Sequence, residues 1–124
     1  TAISNWMKFI REGKTPFITG DGEQRRDMAH VDDVVSANIF AMNHQEDFKG
    51  KNFDVGTGSN ISLNEVKEIA LKYHNIDFNH IPERKGDVLL TKANIQPLNK
   101  LGWYPSVNLI DGINSCFNFK VEKK

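Results

Sequence analysis

Four arginines stand among the sixteen basic residues: Arg11, Arg25, Arg26 and Arg84; the other twelve are lysines. Arginine presents a rigid planar fork that grips phosphate oxygens two at a time, whereas lysine is a mobile point charge. In so lysine-rich a chain, anion recognition is to be sought first at the arginines, against the ordinary alternative of weak surface ion pairs. Residues for bond-making chemistry are harder to find. A tyrosine can act as a base when a lysine one helical turn on lowers its pKa, but the residues four beyond Tyr73 and Tyr104 are Asp77 and Asn108. The histidines His30, His44, His74 and His80 lack metal-ligand spacing, and Cys116 is alone, so neither a structural zinc site nor an intrachain disulfide is expected. There is no Gly-x-Ser-x-Gly elbow and no Walker loop.

The elements that must position these residues can be read from periodicity. Ile3, Trp6, Met7 and Ile10 fall at helical spacing, with Gly13 as a stop. Thr15 to Thr19 reads as a short strand, Gly20-Asp21-Gly22 as a turn, and Asp27 to Val31 as a second strand. Asp32 or Asp33 then caps a helix running to about Met42, with Val34, Val35, Ile39 and Met42 on its apolar side. A polar loop covers 43–51 and a strand 52–55. Ser62-Leu63-Asn64-Glu65 is a capping box, opening a helix to about Tyr73. Asp77 to Pro82 reads as a strand. Asn94 caps a short helix that tolerates Pro97 in its first turn and ends near Gly102. A last helix spans about Leu109 to Phe119, and the polar tail 121–124 is expected to fray. Alternation of helices with short strands makes the class α/β.

Gly56-Thr57-Gly58 lies between a strand and a helix, as a dinucleotide-binding loop would. Ile61 stands where the third glycine belongs and the helix cap comes late, at Ser62, so it reads as a turn. Asp27, Asp32 and Asp33 read as turn and cap residues, Trp6 and Trp103 as core aromatics, His30 as a packed histidine, and Arg25 as solvent-facing.

The chain has 124 residues, 39% apolar and 26% charged, ordinary for one globular domain. Sixteen acidic residues balance the basic ones to a net charge of zero, which argues against a general nucleic-acid binder. No apolar run reaches the length of a membrane span and no signal peptide opens the chain, so a cytoplasmic protein without a membrane or nucleic-acid partner is expected.

Three segments carry a more specific signal. The first runs Gly20-Asp21-Gly22-Glu23-Gln24-Arg25-Arg26-Asp27-Met28-Ala29-His30-Val31-Asp32-Asp33-Val34. The second is Phe53-Asp54-Val55-Gly56-Thr57-Gly58. The third is Arg84-Lys85-Gly86-Asp87-Val88, followed by Leu101-Gly102-Trp103-Tyr104-Pro105. In that order they resemble the carboxyl-terminal signature of the extended short-chain dehydrogenases that act on nucleotide-diphosphate sugars, the NAD-dependent epimerase/dehydratase family. The Arg-x-Gly-Asp form resembles the 4-epimerases more than the 4,6-dehydratases or decarboxylases. Met28 in place of an aromatic residue and Asp54 in place of Asn depart from the family pattern.

The resemblance implies a Rossmann-type fold of which residues 1–124 are a single substrate-binding region, without the amino-terminal NAD-binding half. It implies that Arg26 and Arg84 contact the substrate diphosphate, that Asp87 accepts hydrogen bonds from the ribose hydroxyls, and that the backbone around Phe17 and Thr19 meets the base. No catalytic residue is carried over. NAD is then a cofactor of the longer enzyme and is not bound by this chain alone. The expected partners are a UDP-sugar or related nucleotide sugar and the missing domain; without that domain, helices are expected to leave apolar faces uncovered or to self-associate. A fragment of a nucleotide-sugar 4,6-dehydratase or decarboxylase, or a stand-alone, non-catalytic nucleotide-sugar-binding module, is the alternative.

Overall fold

A computed structural model describes residues 1–122. The chain opens with α1 (Ala2–Arg11), whose Thr1 side chain accepts from the Ser4 amide. Its apolar stripe buries Trp6 and Ile10, with Ile3 and Met7 packed alongside. β1 (Phe17–Thr19) follows and pairs in parallel with β4 (Asn79–Ile81), Phe17 opposite Asn79 and Thr19 opposite Ile81. Parallel neighbours need a long crossover, and the chain between them supplies it: β2 (Arg25–Arg26), α2 (Val31–Asn43), β3 (Ile61–Ser62) and α3 (Leu63–Tyr73). β2 and β3 pair antiparallel, and Leu90 bridges to Arg25 on the other side. The short α4 (Gln96–Leu101) and α5 (Leu109–Phe117) complete the order.

The main core joins Trp6 and Ile10 of α1, Ile18 of β1, Ile61 of β3, Val66, Ile69 and Ala70 of α3, and Ile113 and Phe117 of α5. Each large apolar side chain so buried contributes about 1.5–3 kcal/mol. A smaller cluster holds Ala37 of α2, Leu98 of α4 and Trp103. Both tryptophans are core residues, as expected, and each indole N–H is satisfied: Trp6 donates to Phe17 O at 2.9 Å and Trp103 to Ser36 Oγ at 3.1 Å. The Ser62 cap of α3 forms as expected, with the Glu65 amide donating to Ser62 Oγ at 3.1 Å, while the Glu65 carboxylate accepts from the Ser62 hydroxyl at 3.2 Å.

Five elements differ from the periodicity reading. Residues 27–30 are not a strand; the ladder is made one step earlier, by Arg25 and Arg26, because Asp27 is drawn to another loop. Neither Asp32 nor Asp33 caps α2. His30 does, its Nδ1 accepting from the Asp32 amide at 3.0 Å, which frees Asp33 to turn inward. Residues 52–55 form no strand, since no described strand pairs with them; Phe53 instead packs on the smaller cluster. The cap position of α4 is Ile95, and Asn94 accepts from the Gln96 amide one step before it. α5 ends at Phe117 rather than Phe119. The reading of the tail falls partly on residues 123 and 124, which lie outside the described residues.

The apolar stripe expected on α2 does not enter a core, which takes Ala37 and Phe40 from the helix instead. Val31, Val34, Val35, Ile39 and Met42 are exposed, Met42 at 82% and Val31 at 65%.

Candidate functional site

Hydrogen bonding on β1 has a direction. Pro16 O accepts from the Asn79 amide at 2.9 Å and the Gly20 amide donates to Ile81 O at 2.8 Å. Even-numbered positions therefore face β4, and Phe17 and Thr19 turn their peptide groups to the opposite edge. There Phe17 O accepts from Trp6 Nε1, and Thr19 O accepts from Gln24 Nε2 at 2.8 Å. The two side chains are half-buried, so this edge lies at the surface.

Arg84, Lys85, Gly86 and Asp87 form a tight turn closed by the Asp87 amide on Arg84 O at 3.1 Å. Gly86 sits at φ +85°, a left-handed conformation that glycine adopts without a side-chain clash. The turn sets Asp87 against β2, where Arg26 Nη2 lies 3.2 Å from Asp87 Oδ1; both side chains are about three-quarters covered. Arg26 Nη1 also donates to Arg25 O. Arg84, at the other end of the turn, is exposed and among the described residues has no side-chain hydrogen bond or ion pair.

A small cleft gathers part of this set: Thr19, Gly20, Gln24, Glu83, Asp87 and Leu89 line it. Thus Thr19 and Asp87 meet in one recess and Arg26 reaches it through Asp87, whereas Arg84 and Phe17 lie outside its lining. Gln24 was not singled out by its type or spacing; a buried amide whose donor is aimed at the β1 edge becomes visible only in three dimensions.

Other charged residues are committed to holding the chain. Arg25 is only partly solvent-facing, its side chain 38% exposed: it donates to Asn60 Oδ1 at 2.8 Å and pairs with Glu65 at 2.8 Å. That hydrogen bond from Arg25, outweighing partial burial, holds the Glu65 carboxyl below the usual carboxylate range, with help from Ser62. Asp27 accepts from the amides of Thr57, Gly58 and Ala93 and from the Thr57 hydroxyl, at 2.7 to 3.1 Å. The Thr57 and Gly58 amides of the Gly56-Thr57-Gly58 turn are therefore engaged by an internal carboxylate, so this turn does not fit a dinucleotide pyrophosphate. Asp33 is fully buried and accepts from the amides of Ser106 and Val107 and from the Ser106 hydroxyl. Among the described residues no group of three or more His, Cys, Asp or Glu could hold a metal ion, and no helix is long and apolar enough to cross a membrane.

The comparisons with known proteins agree with one another. Residues 1–56 match the NAD dependent epimerase/dehydratase family. The chain is 36% identical over 127 residues to a UDP-glucose 4-epimerase of Mycolicibacterium smegmatis, covering 94% of this chain and 38% of that protein. It is 31% identical over 110 residues to a CDP-paratose 2-epimerase of Salmonella typhi, covering 84% of this chain and 32% of the relative. The crystal structure of a UDP-glucose 4-epimerase with UDP-glucose from Thermotoga maritima superposes with a TM-score of 0.83 at 29% identity, over 94% of this chain and 38% of that one. The chain thus spans about a third of the length of the relatives it matches.

Proposed function

We propose that the chain belongs to the NAD-dependent epimerase/dehydratase family and that residues 1–124 are the substrate-binding region of an NAD-dependent nucleotide-sugar epimerase, a UDP-sugar 4-epimerase. The observation that carries this reading is the recess where Thr19 of the β1 edge and Asp87 meet beside Arg26. A nucleoside diphosphate laid across it meets peptide groups at its base, a carboxylate at its ribose hydroxyls and guanidinium groups at its phosphates. Phe17 and Thr19 face the base, Asp87 accepts from the ribose, and Arg26 and Arg84 grip the diphosphate.

Without ligand, Arg26 spends one donor on Asp87. A partly exposed ion pair of this kind is worth about 1 kcal/mol or less, so a diphosphate carrying more negative charge can take Arg26 over and release Asp87 towards the ribose. Arg84 carries no such commitment among the described residues. The region's contribution to turnover is orientation: binding energy from the nucleotide end holds the sugar still for groups supplied by the rest of the enzyme. NAD would supply hydride chemistry in the longer enzyme; the Gly56-Thr57-Gly58 turn, whose Thr57 and Gly58 amides are held by Asp27, does not fit its pyrophosphate, and the chain bears no tyrosine–lysine pair at the spacing of one helical turn.

Titration calorimetry with UDP tests the reading. Each charge-assisted hydrogen bond is worth about 1.5–3 kcal/mol, so Arg84→Ala is expected to raise Kd by about 10- to 100-fold. The thermal midpoint should not move, because the side chain is exposed and makes no bond among the described residues. Equal affinity in the two proteins would remove Arg84 from the site.

A further inference from the structure

The recess beside β1 carries one sign of charge. Asp21, Glu83 and Asp87 line it, and no lysine or arginine side chain does. Of these acids only Asp87 pairs with an arginine among the described residues: its Oδ1 lies 3.2 Å from Arg26 Nη2, with the two side chains 29% and 25% exposed. Asp87 Oδ2 has no donor among the described residues. Resting on the nucleotide-binding reading above, we propose that Asp87 is a specificity-determining residue: it makes anion binding at Arg26 conditional on a ribose, so that the site takes nucleoside diphosphates and refuses inorganic pyrophosphate.

A carboxylate and a phosphate compete here for one guanidinium. Arg26 has further N–H groups, so its bond to Asp87 does not close it to a second acceptor. The carboxylate acts through its charge: it offsets the field of the guanidinium and repels an oxyanion drawn to it. When a phosphate takes Arg26 over, Asp87 loses its one partner among the described residues and is left beside two other acids. A charge without its partner in a largely covered position costs more than the same charge in open water. A ribose removes that cost, because its two neighbouring hydroxyls donate to the carboxylate, and hydrogen bonds to an ionised acceptor are the strong ones. Inorganic pyrophosphate carries a comparable charge but brings no ribose. The same carboxylate therefore favours one ligand and opposes the other, and discrimination comes from the repulsive element as much as from the attractive one.

The test is calorimetric titration with UDP, 2′,3′-dideoxy-UDP and inorganic pyrophosphate. It uses this chain, Asp87→Asn, Arg26→Ala and the double variant, each checked for folding by circular dichroism. Asn keeps the shape of Asp87 and removes its charge. The unsubstituted chain is expected to bind UDP at least about thirtyfold more tightly than the dideoxy nucleotide, a comparison that needs no variant. Asp87→Asn should bind pyrophosphate about tenfold more tightly than the unsubstituted chain. In the Arg26→Ala background the same substitution should gain about threefold or less, because no guanidinium is left to release. A side chain that merely supported the turn would not improve pyrophosphate binding when changed. Affinities for UDP and dideoxy-UDP within about threefold, no gain for pyrophosphate in Asp87→Asn, or equal gains in the two backgrounds would each overturn the role of Asp87. Binding of none of the three ligands would instead contradict the nucleotide-binding reading, and the role of Asp87 with it.

Discussion

Asp33 joins α2 to the segment ahead of α5 with a single carboxylate. Burial pushes its carboxyl up, but hydrogen bonds from the Ser106 and Val107 amides and the Ser106 hydroxyl, with His30 nearby, outweigh that and hold it below its ordinary value of 3.8. A depressed value in the folded state means the stabilisation is complete above the ordinary value and is lost as pH falls through the folded one. Urea melts should therefore show stability dropping below about pH 4, with a shallower drop in Asp33→Asn. Asp33→Ala would strand the donors of Ser106 and Val107 in a buried space, and we expect a loss of roughly 3 kcal/mol. Melts with the same pH dependence in the unsubstituted chain and Asp33→Asn would contradict this. The sequence marked Asp33 only as a possible cap, because its donors lie more than seventy residues away. Arg25 escaped for the same reason: its partners, Asn60 and Glu65, are on a distant loop and helix. By contrast, the Arg84-x-Gly-Asp87 turn was legible, since its closure is local and needs glycine at one position.

At the scale of elements, periodicity located α1, α3 and α5 because each has a stripe to bury, and the Ser62 box marked a start within one residue. The short strands were less legible. β2 and β3 are two residues each, too short to alternate, and exist because Arg25 and Ser62 meet across a long excursion of the chain. The turn at Gly56 shows how tightly that excursion is tied. A Cβ there would lie 2.5 Å from Ala93 Cβ and 2.9 Å from Asp27 Oδ2. Neither neighbour is the loose end of a long side chain, so Gly56→Ala must separate the Asp27 loop from the Ala93 segment. We expect a destabilisation of about 1–3 kcal/mol, read as a lower urea midpoint at unchanged slope. An unchanged midpoint would mean that Asp27 does not hold these two segments together.

At the scale of the molecule, the exposed stripe Val31, Val34, Val35, Ile39 and Met42 on α2 sets this chain apart from an ordinary monomer. A contiguous apolar face of this kind marks a surface made to be covered. The relatives are more than twice as long, and on the proposal that residues 1–124 are one region of a larger enzyme the stripe would be covered by that enzyme's NAD-binding portion. In isolation the chain is expected to bind an apolar dye or self-associate, with Met42→Lys reducing both. Sedimentation as a dye-silent monomer would argue against a covering partner. The sequence could place these apolar residues on one helix face; it could not say that the face lies outside the core, because amphipathic spacing is the same whichever surface it meets.

The central claim is that the β1 edge, Arg26 and the Arg84–Asp87 turn form one nucleotide-binding site, and amide shift mapping of the isotopically labelled chain during titration with UDP tests it most directly. The account predicts saturable shifts at Phe17, Thr19, Gln24, Arg26 and Arg84 through Asp87, with α2 unaffected. Shifts centred on α2, or none at millimolar UDP, would contradict it.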